Sequence, residues 1–175
     1  MLRTDRKVRI LIHTALMAAL VFIATWAVKI PIPAAGGYVH PGDALVLLAG
    51  ITLGPLWGGL AAGIGSALAD LLSGYVVYVP ATLIIKGAVA ALAAGLTREW
   101  NGERHHNAIV TAFYCAPAEC MMVTLYYWFE ALVLGYGIAA AGEIIPNLIQ
   151  GAAGVVFTAL LLPVVRKIVR VTQSE

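Results

Sequence analysis

Charge is scarce in this chain. Asp, Glu, Lys and Arg make up 11% of its 175 residues while hydrophobic residues make up 61%, which excludes an ordinary soluble domain. Cysteine is scarce too. Cys115 and Cys120 stand five apart on one predicted helix, which turns them about 140° from each other and argues against a disulfide or a metal pair. No GxxxxGK[ST] loop is present, so the chain does not supply an ATPase of that type. There is no HExxH motif either, and Ser66 has no histidine at helical reach to activate it. His105 and His106 have only Glu103 near them at metal-ligand spacing and are read as a solvated loop, while His13 has no assigned role. No catalytic residue, metal or cofactor is expected.

What remains is apolar sequence in long runs, with a mean hydropathy of +0.90. Ile10–Val28 supplies 19 residues without a charged side chain, close to the roughly 20 that cross a bilayer. No small-x-small cleavage site precedes a polar mature domain, so this run is expected to remain as a span. Asp43 and Asp70 enclose 26 uncharged residues interrupted by Gly54-Pro55, which predicts a helical hairpin with a short first arm. The expectation is an all-α integral membrane protein. Its single domain, 1–175, should hold six transmembrane helices at about 8–29, 42–53, 56–72, 80–96, 107–134 and 141–168.

Basic residues set the predicted orientation. Arg3, Arg6, Lys7 and Arg9, then Arg98 and Arg104, then Arg166, Lys167 and Arg170 would share one face of a six-span bundle, making both termini cytoplasmic. These bases flank spans instead of forming a patch with aromatics, so nucleic acid is not an expected partner. The opposite face carries three short, nearly uncharged loops rich in Gly, Pro and Tyr, which can fold over an opening.

Ionisable groups inside a bilayer cost about 2.5–3.5 kcal/mol on insertion scales and usually face protein or water. Lys86 is predicted about 9 Å below the outer end of its helix, at a depth that Glu119 could share. Asp43 is expected at the hairpin mouth, with Asp70 and Glu130 nearer the surface. Glu119, Val123, Tyr126, Tyr127 and Glu130 follow a helical stripe, and Glu143, Asn147 and Gln150 follow another that continues into Gly151 and Gly154. With Tyr38, His40, Tyr75 and Tyr78 above them, these groups predict a small-molecule pocket in the outer half. Two readings of Lys86 stay open here: it grips a ligand, or it pairs with Glu119. Ala15 and Ala19 form a small-xxx-small pair, as do Gly59 and Gly63, suited to close packing within the chain or against another membrane protein.

The segment GYVHPGDALVLLAGITLGPLWGGLAAGIGSALADLLSGYVVYVPATLIIKG carries a likeness. With its GD opening, LGP turn, GSALAD closure and P-x-T-x-x-x-K-G run, the chain resembles over nearly its whole length the substrate-binding S component of an energy-coupling factor (ECF) vitamin transporter, of the riboflavin-type branch. The resemblance implies a multi-pass protein of a prokaryotic plasma membrane that binds a water-soluble vitamin or precursor. It also implies a transmembrane T component and two ABC-type ATPases as partners, with Ala15 and Ala19 matching an AxxxA face that meets the T component. Substrate-binding residues are then expected to be Tyr38, His40, Asp70, Tyr75, Tyr78, Lys86, Glu119, Tyr126, Tyr127, Asn147 and Gln150.

One lysine, carboxylates, amides and aromatics suit a small polar heteroaromatic such as pyridoxine or hydroxymethylpyrimidine. Another B vitamin such as riboflavin stays an alternative, and the absence of an arginine cluster disfavours phosphorylated substrates. A self-sufficient small transporter and an intramembrane enzyme are the competing classes.

Overall fold

The computed structural model describes residues 3–31, 38–98 and 107–173. Arg104, His105 and His106 lie outside the described residues, as do the side chains of Arg3, Arg6, Tyr38 and Arg170.

The architecture is helical. Helix α1 (Arg3–Ala27) leads through a two-residue antiparallel ladder, β1 (Ile30–Pro31) with β2 (Tyr38–Val39), into α2 (Asp43–Leu72). A 3₁₀ turn at Val76–Tyr78 opens α3 (Val79–Thr97), with Pro80 in its first turn, where a missing N–H is harmless. Arg98 closes α3 in the left-handed region, its N–H donating to the Ala94 carbonyl. Helix α4 (Ala108–Trp128) starts on Asn107, whose side chain accepts from Val110 N–H at 2.8 Å, and ends in a π-helical turn, Phe129–Val133. A 3₁₀ segment, Gly137–Glu143, then enters α5 (Ile144–Gln173).

Among the described residues, five segments are long and apolar enough to cross a membrane: Lys7–Ala27, Asp43–Leu72, Val76–Thr97, Ala108–Val133 and Gly137–Lys167. The two arms expected on either side of Gly54-Pro55 are thus one continuous element, broken only at Gly54 (φ 83°, ψ 179°). That conformation is open to glycine and not to other L-residues, and Pro55 disfavours helix at the residue before it. Contacts give the direction of each arm. Asp43 meets Lys86 and Gly50 meets the Ala90 backbone, so the first arm runs with α3. Gly59 meets Gly87 and Gly63 meets Leu83, so the second arm runs against it. The chain therefore turns back at Gly54, and Gly58 abuts the Ala49 carbonyl across the bend.

Gly59 and Gly63 pack within the chain, whereas Ala15 and Ala19 are exposed on α1. The core is built of small and aliphatic side chains, including Leu47, Leu48, Ala49, Val89, Ala90, Met122 and Leu162. Ile84, Phe113, Leu132 and Ile138 instead point outward, as a lipid-facing surface requires. Neither Cys115 nor Cys120 is in a disulfide.

Candidate functional site

Five helix ends and the His40 loop converge on one cavity: the C-terminal ends of α1 and α2, the start of α3, the end of α4 and the approach to α5. It encloses about 460 Å³ of empty space, part of it open to solvent. Its lining is Thr25, His40, Asp70, Tyr75, Tyr78, Thr82, Lys86, Tyr126, Glu130, Glu143, Asn147 and Gln150. Asp70, at the end of α2, lines the cavity while Asp43, at its start, bonds the lining residues Lys86 and Gln150, because the helix doubles back at Gly54.

The floor is a buried ion pair. Lys86, 1% exposed, donates to Asp43 Oδ1, and Gln150 Nε2 donates to Asp43 Oδ2 at 2.8 Å. Asp43 lies in the first turn of α2, where the helix N-terminus also favours a negative charge. Gln150 Oε1 meanwhile accepts from His40 N–H at 2.9 Å, tying the loop after β2 to α5. Gly42 N–H in turn donates to His40 Nδ1 at 3.1 Å, and a Cβ on Gly42 would stand 2.2 Å from Thr25 Oγ1. Loop, α1, α2, α3 and α5 thus meet around one network. His40 is partly buried, and that burial lowers its pKa from 6.5 to about 4; Lys86 works in the same direction and Asp43 opposes it. It is therefore a neutral imidazole near pH 7, as its acceptance from Gly42 N–H requires.

The walls are phenols and carboxyls. Tyr126 shares a 3.0 Å hydrogen bond with Thr82, and its ring centroid lies 5.6 Å from Lys86 Nζ. Tyr78 donates a long 3.4 Å bond to Glu130 Oε1 and packs edge-on against Tyr75 and Phe129. The Asp70 backbone carbonyl accepts from Ser73 and Tyr75 N–H, which fixes the turn that delivers the two tyrosines.

Of the residues expected at the site, His40, Asp70, Tyr75, Tyr78, Lys86, Tyr126, Asn147 and Gln150 line this cavity. Three do not. The side chain of Tyr38 lies outside the described residues. Glu119 is buried about 10 Å along α4 from Tyr126 and is not in the lining. Tyr127 is turned about 80° from Glu119 around α4 and packs against Trp128 instead. The pairing of Lys86 with Glu119 is likewise corrected. Asp43, at the start of α2 and 0% exposed, is the residue that takes the charge. Glycines make this packing possible: a Cβ on Gly151 would lie 2.9 Å from Glu119 Cβ, and one on Gly154 2.9 Å from Asp43 Cβ.

Thr25, Thr82, Glu130 and Glu143 complete the lining. Thr82 was available from its place four residues before Lys86, and Glu130 and Glu143 from the polar stripes of their helices. Nothing in the local sequence singles out Thr25.

Comparison with known proteins agrees with the fold and names the family. A solved structure described as the S component of a bacterial ECF transporter matches with a TM-score of 0.69, covering 93% of this chain and 98% of that one at 23% identity, so the two share a fold. An uncharacterized protein of Pyrococcus woesei, described as lying in the gap 3′ region, is 32% identical over 136 residues, 78% of this chain and 87% of that protein. The model of the family described as ECF-type riboflavin transporter, S component, matches residues 5–167. The chain belongs to this family of S components.

Proposed function

We propose that this chain captures pyridoxine or hydroxymethylpyrimidine in the cavity above the Asp43–Lys86 pair and presents it to its importer. Family membership makes it the substrate-binding subunit of an ECF importer, a transport protein of the prokaryotic plasma membrane and not an enzyme. S components work with a T component and ATPases and bind small vitamins. The finer reading rests on one observation: an open-sided cavity lined by amide, phenol, carboxyl, hydroxyl and ammonium groups drawn from all five helices and the segments that join them. Such a mixture suits a compact heteroaromatic ring with polar substituents.

In this reading Lys86, Asn147 and Gln150 hold polar substituents, Tyr75, Tyr78 and Tyr126 offer ring faces, and His40 anchors the loop that covers the site. Tyr38 is placed on the same loop. The doubled-back α2 is counted as two crossings, which makes six in all and puts both termini on the cytoplasmic side with the basic residues. The exposed Ala15–Ala19 face of α1 is assigned to the T component, against which the subunit would topple to release its ligand inward. Mass spectrometry of small molecules released from the gently purified chain tests the proposal. A stoichiometric pyridoxine or hydroxymethylpyrimidine is expected, and a stoichiometric riboflavin would replace both as the substrate.

A further inference from the structure

Thr25 is the residue through which α1 reaches the cavity, and it is 1% exposed. Its Oγ1 is buried with no hydrogen-bond partner among the described residues. Other threonines of the bundle behave differently. Thr14, Thr52, Thr97 and Thr124 each donate to the carbonyl four residues before, the usual way in which a helix absorbs such a hydroxyl. Thr82, Thr111 and Thr158 bond across to neighbouring helices. Thr25 has the Val21 carbonyl at the same spacing and does not use it.

Its surroundings explain where the hydroxyl stands but supply no partner. A Cβ on Gly42 would lie 2.2 Å from Oγ1, so the hydroxyl rests over Gly42, and glycine is what leaves it room. The Gly42 N–H is committed to His40 Nδ1 at 3.1 Å, and the Gly42 carbonyl accepts from Leu45 and Val46 N–H. Packing alone would be served by valine, which has the same branched shape and carries no polar atom. A hydroxyl buried without a partner instead destabilises a fold. The cavity that Thr25 lines is open on one side, so a molecule that enters there can meet the hydroxyl.

Resting on the reading of this cavity as the substrate site, we propose that Thr25 is a ligand-binding residue whose hydroxyl donates to a ring nitrogen or an oxygen of the bound heterocycle. Helix α1 then takes part in recognition through this one side chain. Specificity follows from the same bond. A ligand that turned a hydrocarbon edge toward α1 would leave the buried donor unmet, and a site built to hydrogen-bond one group discriminates strongly against an analogue lacking it. Pyridoxine and hydroxymethylpyrimidine both carry ring-nitrogen and oxygen acceptors that can face α1.

Titration calorimetry on the full chain in detergent tests the assignment, with pyridoxine, hydroxymethylpyrimidine and riboflavin as probes and the tightest of them carried into three variants. Thr25→Val and Thr25→Ala remove the hydroxyl, the second without adding bulk against Gly42, and Thr25→Ser keeps it. Both hydroxyl-free variants are expected to bind at least about fivefold more weakly, with Thr25→Ser within about threefold of wild type. The thermal midpoint of ligand-free Thr25→Val should not fall, because the hydroxyl it removes makes no bond within the chain. A folded Thr25→Val or Thr25→Ala that loses less than about fivefold would overturn the proposal while leaving vitamin capture standing. So would a Thr25→Ser that loses as much as Thr25→Ala, since the branched shape and not the hydroxyl would then matter. A wild-type chain that binds none of the three probes would overturn the reading of the cavity itself.

Discussion

Replacing Lys86 by methionine should damage the fold before it damages binding. Lys86 is the partner of a carboxylate that is fully buried, and its removal leaves Asp43 with the Gln150 amide as its remaining hydrogen-bond donor in the network. Breaking one side of a buried ion pair costs about 3–5 kcal/mol, because the other charge stays behind without compensation. At about 2–4 °C per kcal/mol for a chain of this size, the thermal midpoint of Lys86→Met in detergent should fall by about 6–20 °C. Adding Asp43→Asn removes the orphaned charge and should recover most of that loss, giving a coupling energy well above the scatter of independent sites. The rescued double variant then isolates the ligand contact. If Lys86 also holds a ligand group, that variant folds and binds about ten- to a hundredfold more weakly, the worth of one charge-assisted hydrogen bond. A drop of less than about 2 °C in the single variant, or no recovery in the double, would refute the buried-pair argument.

Three other perturbations probe neighbouring parts of the structure. Gly54→Ala forces a Cβ onto a backbone at φ 83°, ψ 179° and should cost about 1–3 kcal/mol; an unchanged midpoint would mean that α2 does not turn back there. Glu119→Met replaces a buried carboxyl with no hydrogen-bond partner among the described residues, so the midpoint should rise while ligand affinity stays within about threefold. A tenfold loss of affinity in that variant would return Glu119 to the binding site. For His40, the depressed folded pKa of about 4 against 6.5 means that unfolding takes up a proton between those values. Its contribution is therefore full above pH 6.5 and lost as pH falls toward 4, and His40→Asn should flatten that part of the pH–midpoint curve.

Much of the site was legible because helical periodicity places polar residues on faces. Tyr126 and Glu130 on α4, and Glu143, Asn147 and Gln150 on the approach to and first turns of α5, reach the cavity as their spacing requires. Gly54-Pro55 likewise marked the bend in α2. Depth and partner choice were harder to read. Glu119 lies on the same stripe as Tyr126, yet two turns of helix carry it out of the lining. Asp43 was placed at the hairpin mouth without its partner, because its distance from Lys86 depends on how the first arm of α2 leans on α3. That lean comes from Gly50 meeting the Ala90 backbone, a contact between segments forty residues apart that no local pattern announces. Thr25 reaches the site for a similar reason, through the close approach of Gly42 to α1.

The most direct test of the account fills the cavity without disturbing its floor. Thr82 is 3% exposed, lines the cavity and bonds Tyr126, and the hydrogen bonds that join Asp43 to Lys86 and Gln150 do not pass through it. Calorimetric titration of the intact chain with the vitamin it retains should give one site per chain, and Thr82→Trp, still folded by its thermal midpoint, should abolish that binding. Binding that survives in folded Thr82→Trp would contradict the assignment of this cavity as the substrate site.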